Sequence, residues 1–285
     1  IFFKEEENKI KKELDSNQLY NGKETEYLEK EFSKYNKSKY VKVVGNATQG
    51  LHLALAALDI GAGDEVIVTN YSWISTASCI LMQNAIPVFV DVEPRYLSID
   101  IEQIEKKINS KTKAIIYVHL YGFISNASRL VRLAKKHNLK LVEDASHAPG
   151  ASYKNKKAGN FGDIAVLSMQ QRKNLCCGDG AIIVCKDKKL SKKIYQLRSF
   201  GSKELSYNYR ISELAAGIAR VRLKRLDKEN KKRNEIVKKI ESKLSKLDGI
   251  STLKPMKNTY PVYYKLIFFY NYKKFKKNLD YFIKH

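Results

Sequence analysis

Cysteine is scarce in this chain, with 4 in 285 residues, and no two of them form a C-x-x-C pair. Cys176 and Cys177 are adjacent, while Cys79 and Cys185 stand alone. That pattern suits neither a disulfide framework nor the ligand spacing of a zinc site, so reduced thiols in a cytoplasmic protein and no metal centre are expected. Long apolar runs are also lacking. None approaches the ~18–20 residues that a membrane-spanning helix needs. No secretory signal pattern is read, and the chain opens on Ile1 rather than Met, so its natural start is expected upstream. Acidic residues are the minority, 30 against 53 basic ones, for a formal net charge of +23.

Such an excess invites a nucleic-acid reading. The charge is mostly lysine, spread along the chain, and densest over Lys186–Lys193, Lys224–Lys239 and Lys273–Lys277. The last two lie in helical patterns where a solvated face is the ordinary outcome, and no DNA- or RNA-binding motif accompanies them. Neither a nucleic-acid nor a membrane partner is expected; attraction of anionic substrates is the better use of the charge.

What is present is a core. At 44% hydrophobic, the chain can fill one large domain or one and a half. After a polar opening with a helical pattern at Glu24–Lys37, short apolar runs alternate with helix-like stretches. The expected strands are Val41–Val44, Glu65–Thr69, Pro87–Val92, Ala114–His119, Leu139–Val142, Ile164–Ser168 and Ala181–Cys185. Helices are expected at Gln49–Leu58, Trp73–Gln83, Ile101–Ile108 and Ala127–His137. Strands separated by helices of this length predict βαβ units, an α/β fold with a mostly parallel sheet covered on both faces. Ile211–Leu247 lacks proline and is apolar at helical spacing, which predicts one long helix or two nearly collinear ones. Beyond Pro255 and Pro261, a strand at Val262–Phe269 and a helix at Phe275–Ile283 are expected. Residues 1–248 then read as a large domain with its N-terminal segment. Residues 249–285 read as the opening of a small α+β domain, apparently truncated.

Chemistry concentrates at two strand ends. The run Ile164–Ser168 is followed by Lys173 five residues past Ser168 and then by the Gly-rich turn Gly178-Asp179-Gly180. Upstream, Leu139–Val142 ends in Glu143-Asp144-Ala145. An amine and a carboxylate, each just past a buried strand, suit pyridoxal phosphate. The amine forms a Schiff base with the aldehyde, and the acid keeps a proton on the pyridine nitrogen.

The order and spacing of several short motifs make this chain similar to a known family. They are Gly63-Asp64-Glu65-Val66-Ile67, Pro87-Val88-Phe89-Val90-Asp91-Val92, Lys113-Ala114-Ile115-Ile116, Glu143-Asp144-Ala145, Gly159-x-Phe161-Gly162-Asp163 and Asn208-Tyr209-Arg210. From about Asn21-Gly22 onward the chain resembles the DegT/DnrJ/EryC1/StrS sugar aminotransferases, pyridoxal phosphate enzymes of the aspartate aminotransferase fold type. The resemblance implies a seven-stranded type of sheet flanked by helices. The family's chains run well past this length.

Residue by residue, the resemblance implies Lys173 as the Schiff-base lysine and Asp144 as the partner of the pyridine nitrogen. His147 stands where the family carries Gln or His against the cofactor's phenolic oxygen. Trp73, the only tryptophan, stands where an aromatic ring lies flat on the pyridine. Ala47 and Thr48 open a helix whose free N–H groups suit a phosphate, although the family's Ser-Gly-Thr is Asn46-Ala47-Thr48 here. Ser168 resembles a second phosphate contact. Asn208 resembles a residue lent by the neighbouring subunit, which implies a homodimer with a shared site. Gln170, Gln171, Arg172, His119 and Tyr121 stand near these positions without an assigned role.

The resulting expectation is an aminotransferase moving nitrogen from glutamate or glutamine to a ketone, foremost a nucleotide-linked keto sugar, in surface polysaccharide or related biosynthesis. A cyclitol ketone or small phosphorylated ketone is the alternative acceptor. A dehydratase of the same fold carries histidine in place of the lysine, and Lys173 argues against it. A non-catalytic binding or regulatory protein on the same fold is the alternative of another class.

Overall fold

Seven apolar runs become the seven strands of one sheet. They are β1 Tyr40–Val44, β2 Glu65–Thr69, β3 Ile86–Val90, β4 Thr112–Val118, β5 Lys140–Asp144, β6 Ile164–Ser168 and β7 Ala181–Cys185, in the order β1-β7-β6-β5-β4-β2-β3. The structure is a computed structural model that describes residues 3–20, 22–199, 206–275 and 280–281. Around the sheet lie α1 Lys4–Asp15, α2 Lys23–Asn36, α3 Ala47–Ala57, α4 Ser75–Leu81, α5 Ile101–Lys107, α6 Ala127–Lys136, α7 Lys188–Arg198, α8 Glu213–Leu223 and α9 Leu226–Leu244.

Both faces of the sheet are buried, as continuous apolar strands require. Along β6, Ala165 and Leu167 enter one core cluster, and Ile164 and Val166 enter the other. β7 is antiparallel to both β6 and β1, while the other neighbouring pairs are parallel. This one reversal sets the geometry of the site. Ala181 aligns with Val44 on one side and with Ser168 on the other. The end of β1, and hence the start of α3, therefore lies at the same edge of the sheet as the end of β6.

Several elements depart from the sequence expectation. The polar opening contains α1, which no apolar periodicity announces. It docks largely through charge: Lys9 pairs with Glu24 at 2.7 Å, and Arg225 holds Glu5 at 2.9 Å and also Glu6. The strand expected over Pro87–Val92 stops at Val90, because the Asp91 side chain captures the Val92 N–H at 2.8 Å. Val92–Glu93 then pairs with Ser98–Ile99 instead. The Ile211–Leu247 stretch, by contrast, takes the second of its two expected forms: it is two helices, α8 and α9, interrupted at Lys224 and Arg225.

The strand expected over Val262–Phe269 survives only as Phe268–Tyr270, paired with Ile250–Thr252. Its first half is diverted: the N–H groups of Val262 and Tyr264 donate to the carbonyls of Gly122 and Tyr121 at 3.1 and 2.9 Å, and Tyr263 takes φ +43°. Of the helix expected at Phe275–Ile283, only Phe275, Asp280 and Tyr281 belong to the described residues, and Asn21 also lies outside them. All four cysteines are free and buried. Among the described residues no helix is long and apolar enough to cross a membrane, and no cluster of three or more His, Cys, Asp or Glu is placed to hold a metal.

Candidate active site

A cavity of about 800 Å3 opens at the carboxyl ends of β5 and β6, where ligands of open α/β sheets bind. Ala47, Thr48, Trp73, Asp144, His147, Ser168 and Lys173 all line it. These residues come from stretches up to 126 positions apart in the chain, from Ala47 to Lys173. The strand register alone brings them together. Asn208 is the one expected residue outside the lining. Its exposed side chain accepts from Arg210 Nε and Nη2 at 3.1 and 3.0 Å, although the neighbouring Tyr209 does line the cavity.

Lys173 sits on the loop that joins β6 to β7. Backbone bonds continue the ladder past both strand ends: Met169 N–H to Gly180 O at 2.7 Å, Gln171 N–H to Gly178 O at 2.8 Å and Cys177 N–H to Met169 O at 2.8 Å. A turn from Lys173 N–H to Gln170 O, also 2.8 Å, then aims the lysine. Its Nζ lies 4.5 Å from the centroid of the Tyr264 ring and enters no ion pair among the described residues. Burial holds its ammonium below the usual lysine range, with the charge of Lys265 adding to the shift and that of Asp144 opposing it.

Asp144 ends β5 and is 5% exposed. One carboxylate oxygen accepts from the Thr76 hydroxyl at 2.8 Å, and the other from the Ser146 N–H at 3.2 Å. Thr76 in turn shares a 2.9 Å hydrogen bond with Ser72. Both donors to Asp144 are neutral. A buried carboxylate with no cationic side chain bonded to it is short of a counter-charge.

His147 is held in a stack. Its ring lies 4.1 Å from Tyr264 at 14° and 6.3 Å from Tyr121 at 9°. The Tyr121 N–H donates to Nδ1 at 3.3 Å, which leaves the proton of the neutral ring on Nε2. Burial pushes the imidazole down to about 4, helped by the charge of Lys173 and opposed by Asp144.

At the start of α3 the Asn46 side chain accepts from the Gln49 N–H at 2.9 Å, so the N–H groups of Ala47 and Thr48 carry the open end of the helix. The Thr48 hydroxyl donates to Ser75 at 2.8 Å. Ser168 Oγ, 4% exposed, accepts from the Gln170 N–H at 3.3 Å. Trp73 is 71% exposed at the mouth, just before α4.

Two features escaped the sequence reading. The first is Tyr264, placed between His147 and Lys173 by the diverted segment after Pro261. Gly122, at φ +92°, permits that approach: a Cβ there would meet His147 O and Val262 Cγ2 at 3.0 Å. Asn174 Nδ2 ties the Lys173 loop to the same segment, donating to Val262 O at 2.9 Å and to Asn230 Oδ1 at 3.2 Å. The second is Thr76, the donor to Asp144. No local pattern marks either residue. His119, which had no assigned role, pairs fully buried with Glu143 at 2.7 Å behind the site.

The sequence pattern of the DegT/DnrJ/EryC1/StrS aminotransferase family matches residues 2–284. The chain belongs to that family. Among its curated relatives, GDP-perosamine synthase of Caulobacter vibrioides is 37% identical over 236 residues, covering 80% of this chain and 63% of the relative. The chain thus spans less than two thirds of that protein's length. Among solved structures, Streptomyces venezuelae DesV in complex with a ketimine intermediate aligns with TM-score 0.88 and 34% identity, over 91% of this chain and 72% of that one. An aminotransferase from Psychrobacter cryohalolentis aligns with TM-score 0.96 and 31% identity, over 100% of this chain and 80% of that one. The sheet described above is the fold that members of the DegT/DnrJ/EryC1/StrS family share.

Proposed function

We propose that this chain carries the cofactor-binding part of a pyridoxal-phosphate-dependent aminotransferase. It would move an amino group from glutamate or glutamine to the ketone of a nucleotide-linked sugar, for surface polysaccharide or related biosynthesis. The observation that carries this reading is one cavity holding both Lys173 and Asp144, an amine and a buried carboxylate that each lack an ion-pair partner among the described residues. The names of relatives, GDP-perosamine synthase foremost, support the acceptor class.

The donor set fits the cofactor. The unpaired Asp144 carboxylate suits a pyridinium nitrogen, and the Ala47 and Thr48 N–H groups with the Ser168 hydroxyl suit the phosphate. Trp73 offers a flat face, and His147 offers Nε2–H to a phenolic oxygen. When bound, pyridoxal phosphate supplies an aldehyde for amine exchange and an electron-withdrawing ring that stabilises negative charge on the amine-bearing carbon. The chain does the rest. Asp144 would hold the positive charge of the ring by its own negative one. The lowered basicity of Lys173 keeps a larger share of Nζ unprotonated, so with the cofactor bound it would serve as nucleophile and would lift and return the proton of the amine-bearing carbon. The Tyr121 N–H holds His147 in the neutral tautomer that donates, and the Tyr264 ring stacks on it.

A second copy of the chain completes this reading. Trp73, Ile74, Leu81, Met82, Ile86 and Phe89 are exposed on and around α4 and the sheet-edge strand β3, from 45% for Met82 to 74% for Ile74. Such a patch is costly in water and suits a homodimer interface. Asn208, outside the lining of its own cavity, would then reach the phosphate of the neighbouring copy. In this reading residues 1–248 are the large domain, 249–285 open a small one, and the free thiols work in the cytoplasm.

Purified protein mixed with pyridoxal phosphate should gain a visible band that moves to shorter wavelength with glutamate or glutamine. Borohydride should fix the cofactor to the peptide bearing Lys173. A panel of nucleotide-linked keto sugars, cyclitol ketones and small phosphorylated ketones then assigns the acceptor. Full transamination by Lys173→Ala would refute the proposal.

A further inference from the structure

At the opposite end of the sheet from Lys173, positive charge gathers in a concave site. β7 runs from Ala181, beside the Lys173 loop, to Cys185, a five-residue strand and a span of about 17 Å. Beside Cys185 opens a cavity of about 440 Å3 lined by Lys37, Lys39, Lys154, Lys156, Lys157 and Lys186. None of its lining residues is acidic. Two carboxylates act from outside it, Asp163 on Lys186 at 3.3 Å and Asp227 on Lys157.

Lysine is common in this chain, so the count alone means little. The arrangement is more informative. Four of these ammonium groups rest on aromatic rings: Lys39 on Tyr40 at 5.5 Å, Lys154 on Tyr153 at 5.4 Å, Lys156 on Phe161 at 5.2 Å and Lys157 on Tyr35 at 3.3 Å. The rings restrict side chains that would otherwise spread apart in solvent. Lys37 and Lys154 also hold left-handed backbone, φ +53° and +48°. Lys37 ends α2, and Lys154 opens the two-residue turn of a small hairpin, places where glycine or asparagine is the economical choice.

The floor is built from the buried Asn36 amide, the half-buried Asn160 amide and a hydroxyl. Asn36 Nδ2 donates to Ser38 Oγ at 2.8 Å, Ser38 Oγ to Asn160 Oδ1 at 2.9 Å, and Asn160 Nδ2 to the Asn36 carbonyl at 3.0 Å. Burial and the nearby charge of Lys37 both hold Lys157 below the usual lysine range. Mutual repulsion of this kind is relieved by a bound anion.

We propose that this cavity binds a small ligand bearing two adjacent phosphates, either free pyrophosphate or the diphosphate of a nucleotide. A single phosphate engages only part of a lysine ring spread over two loops and two strand ends. A cavity of about this size suits a small molecule, and its concavity sets it apart from the extended stripe that a duplex needs.

The test uses the full chain loaded with pyridoxal phosphate, so that the phosphate subsite at Ala47 and Thr48 is filled. Calorimetric titration with inorganic pyrophosphate should show saturable 1:1 binding, with orthophosphate at least tenfold weaker. Lys37→Glu combined with Lys156→Glu, both at exposed positions, should weaken pyrophosphate binding at least tenfold. Lys239→Glu combined with Lys243→Glu, an equal charge change on the exposed face of α9, should leave it within twofold. A nucleoside diphosphate that binds tighter than pyrophosphate identifies a nucleotide as the source; equal affinity identifies the free diphosphate. Pyrophosphate should also shield Lys156 and Lys157 from acetylation, read by mass spectrometry. The proposal is overturned by absent saturation, by equal losses in the two double variants, or by a DNA duplex that outcompetes pyrophosphate. None of these readouts depends on transamination.

Discussion

Replacing His147 by glutamine tests the stack directly. The imidazole titrates near 4 in the folded chain and near 6.5 in an unfolded one. Between those values the unfolded chain binds the extra proton and the folded chain does not. Stability therefore falls as pH drops below about 6.5, and the loss is complete below about 4. A gap of roughly 2.5 pKa units at about 1.36 kcal/mol each corresponds to on the order of 3 kcal/mol. Glutamine can accept from the Tyr121 N–H as Nδ1 does, yet it has nothing to titrate. Urea unfolding of the cofactor-free protein at several pH values, followed by circular dichroism, gives both curves. Wild type should lose about 3 kcal/mol more than His147→Gln between pH 7 and pH 4. If the two proteins track each other within about 0.5 kcal/mol, the imidazole is not desolvated between Tyr264 and Tyr121.

Two further perturbations probe the supports of the site. Thr76→Val deletes the neutral donor to the buried Asp144 carboxylate and should cost about 1.5–3 kcal/mol in urea unfolding, with Thr76→Ser restoring most of it; equal stability of all three proteins would contradict the bond. Glu143→Gln breaks a fully buried pair with His119 in which the carboxylate also accepts the N–H groups of Gly159, Phe161 and Gly162 at 2.9, 2.6 and 2.7 Å. Burial alone would raise the Glu143 carboxyl, but the His119 contact and the N–H groups of Gly162 and Gly159 outweigh it and hold it below the usual range. The expected loss is about 3–5 kcal/mol, and a loss under about 1 kcal/mol would show that Glu143 is not charged in the fold.

The sheet was legible because each strand writes its own burial. A five-residue run such as Ile164–Ser168 is apolar on both faces, and that is visible without knowing its neighbours. The antiparallel turn of β7 was not, since a Gly-rich stretch between two apolar runs is compatible with more than one connection. The helix α1 left no apolar stripe because its docking is ionic, Lys9 to Glu24 and Arg225 to Glu5 and Glu6. Within the site, residues that follow a strand end were readable from position: Lys173, Asp144 and Ser168 each stand at or just past an apolar run. Thr76 and Tyr264 were not, because their roles depend on partners 68 and 91 residues away, Asp144 and Lys173. The expected strand at Val262 misled for a related reason. Its apolar and aromatic composition suits a strand, but its N–H groups are taken by the carbonyls of Tyr121 and Gly122.

That diversion explains why a lysine on a loop can be held firmly. A hairpin tip of this length would ordinarily sample many conformations, and each would place Nζ differently. Here the tip is fixed from two directions. The ladder bonds from Met169 and Gln171 fix its base, and Asn174, next to Lys173, reaches across to Val262 and Asn230. Asn230 donates in turn to Pro149 O at 3.0 Å, just past His147. The lysine loop and the histidine loop therefore meet on one amide of α9, and Asn174 ties the Tyr264 segment to the same junction. Their positions are coupled: a shift of any one must strain the hydrogen bonds of the other two. Substituting Asn174 and Asn230 singly should accordingly cost nearly as much as substituting both, since either change opens the same junction. Independent, additive losses would mean that the three loops are held separately, and Lys173 would then owe its placement to the hairpin alone.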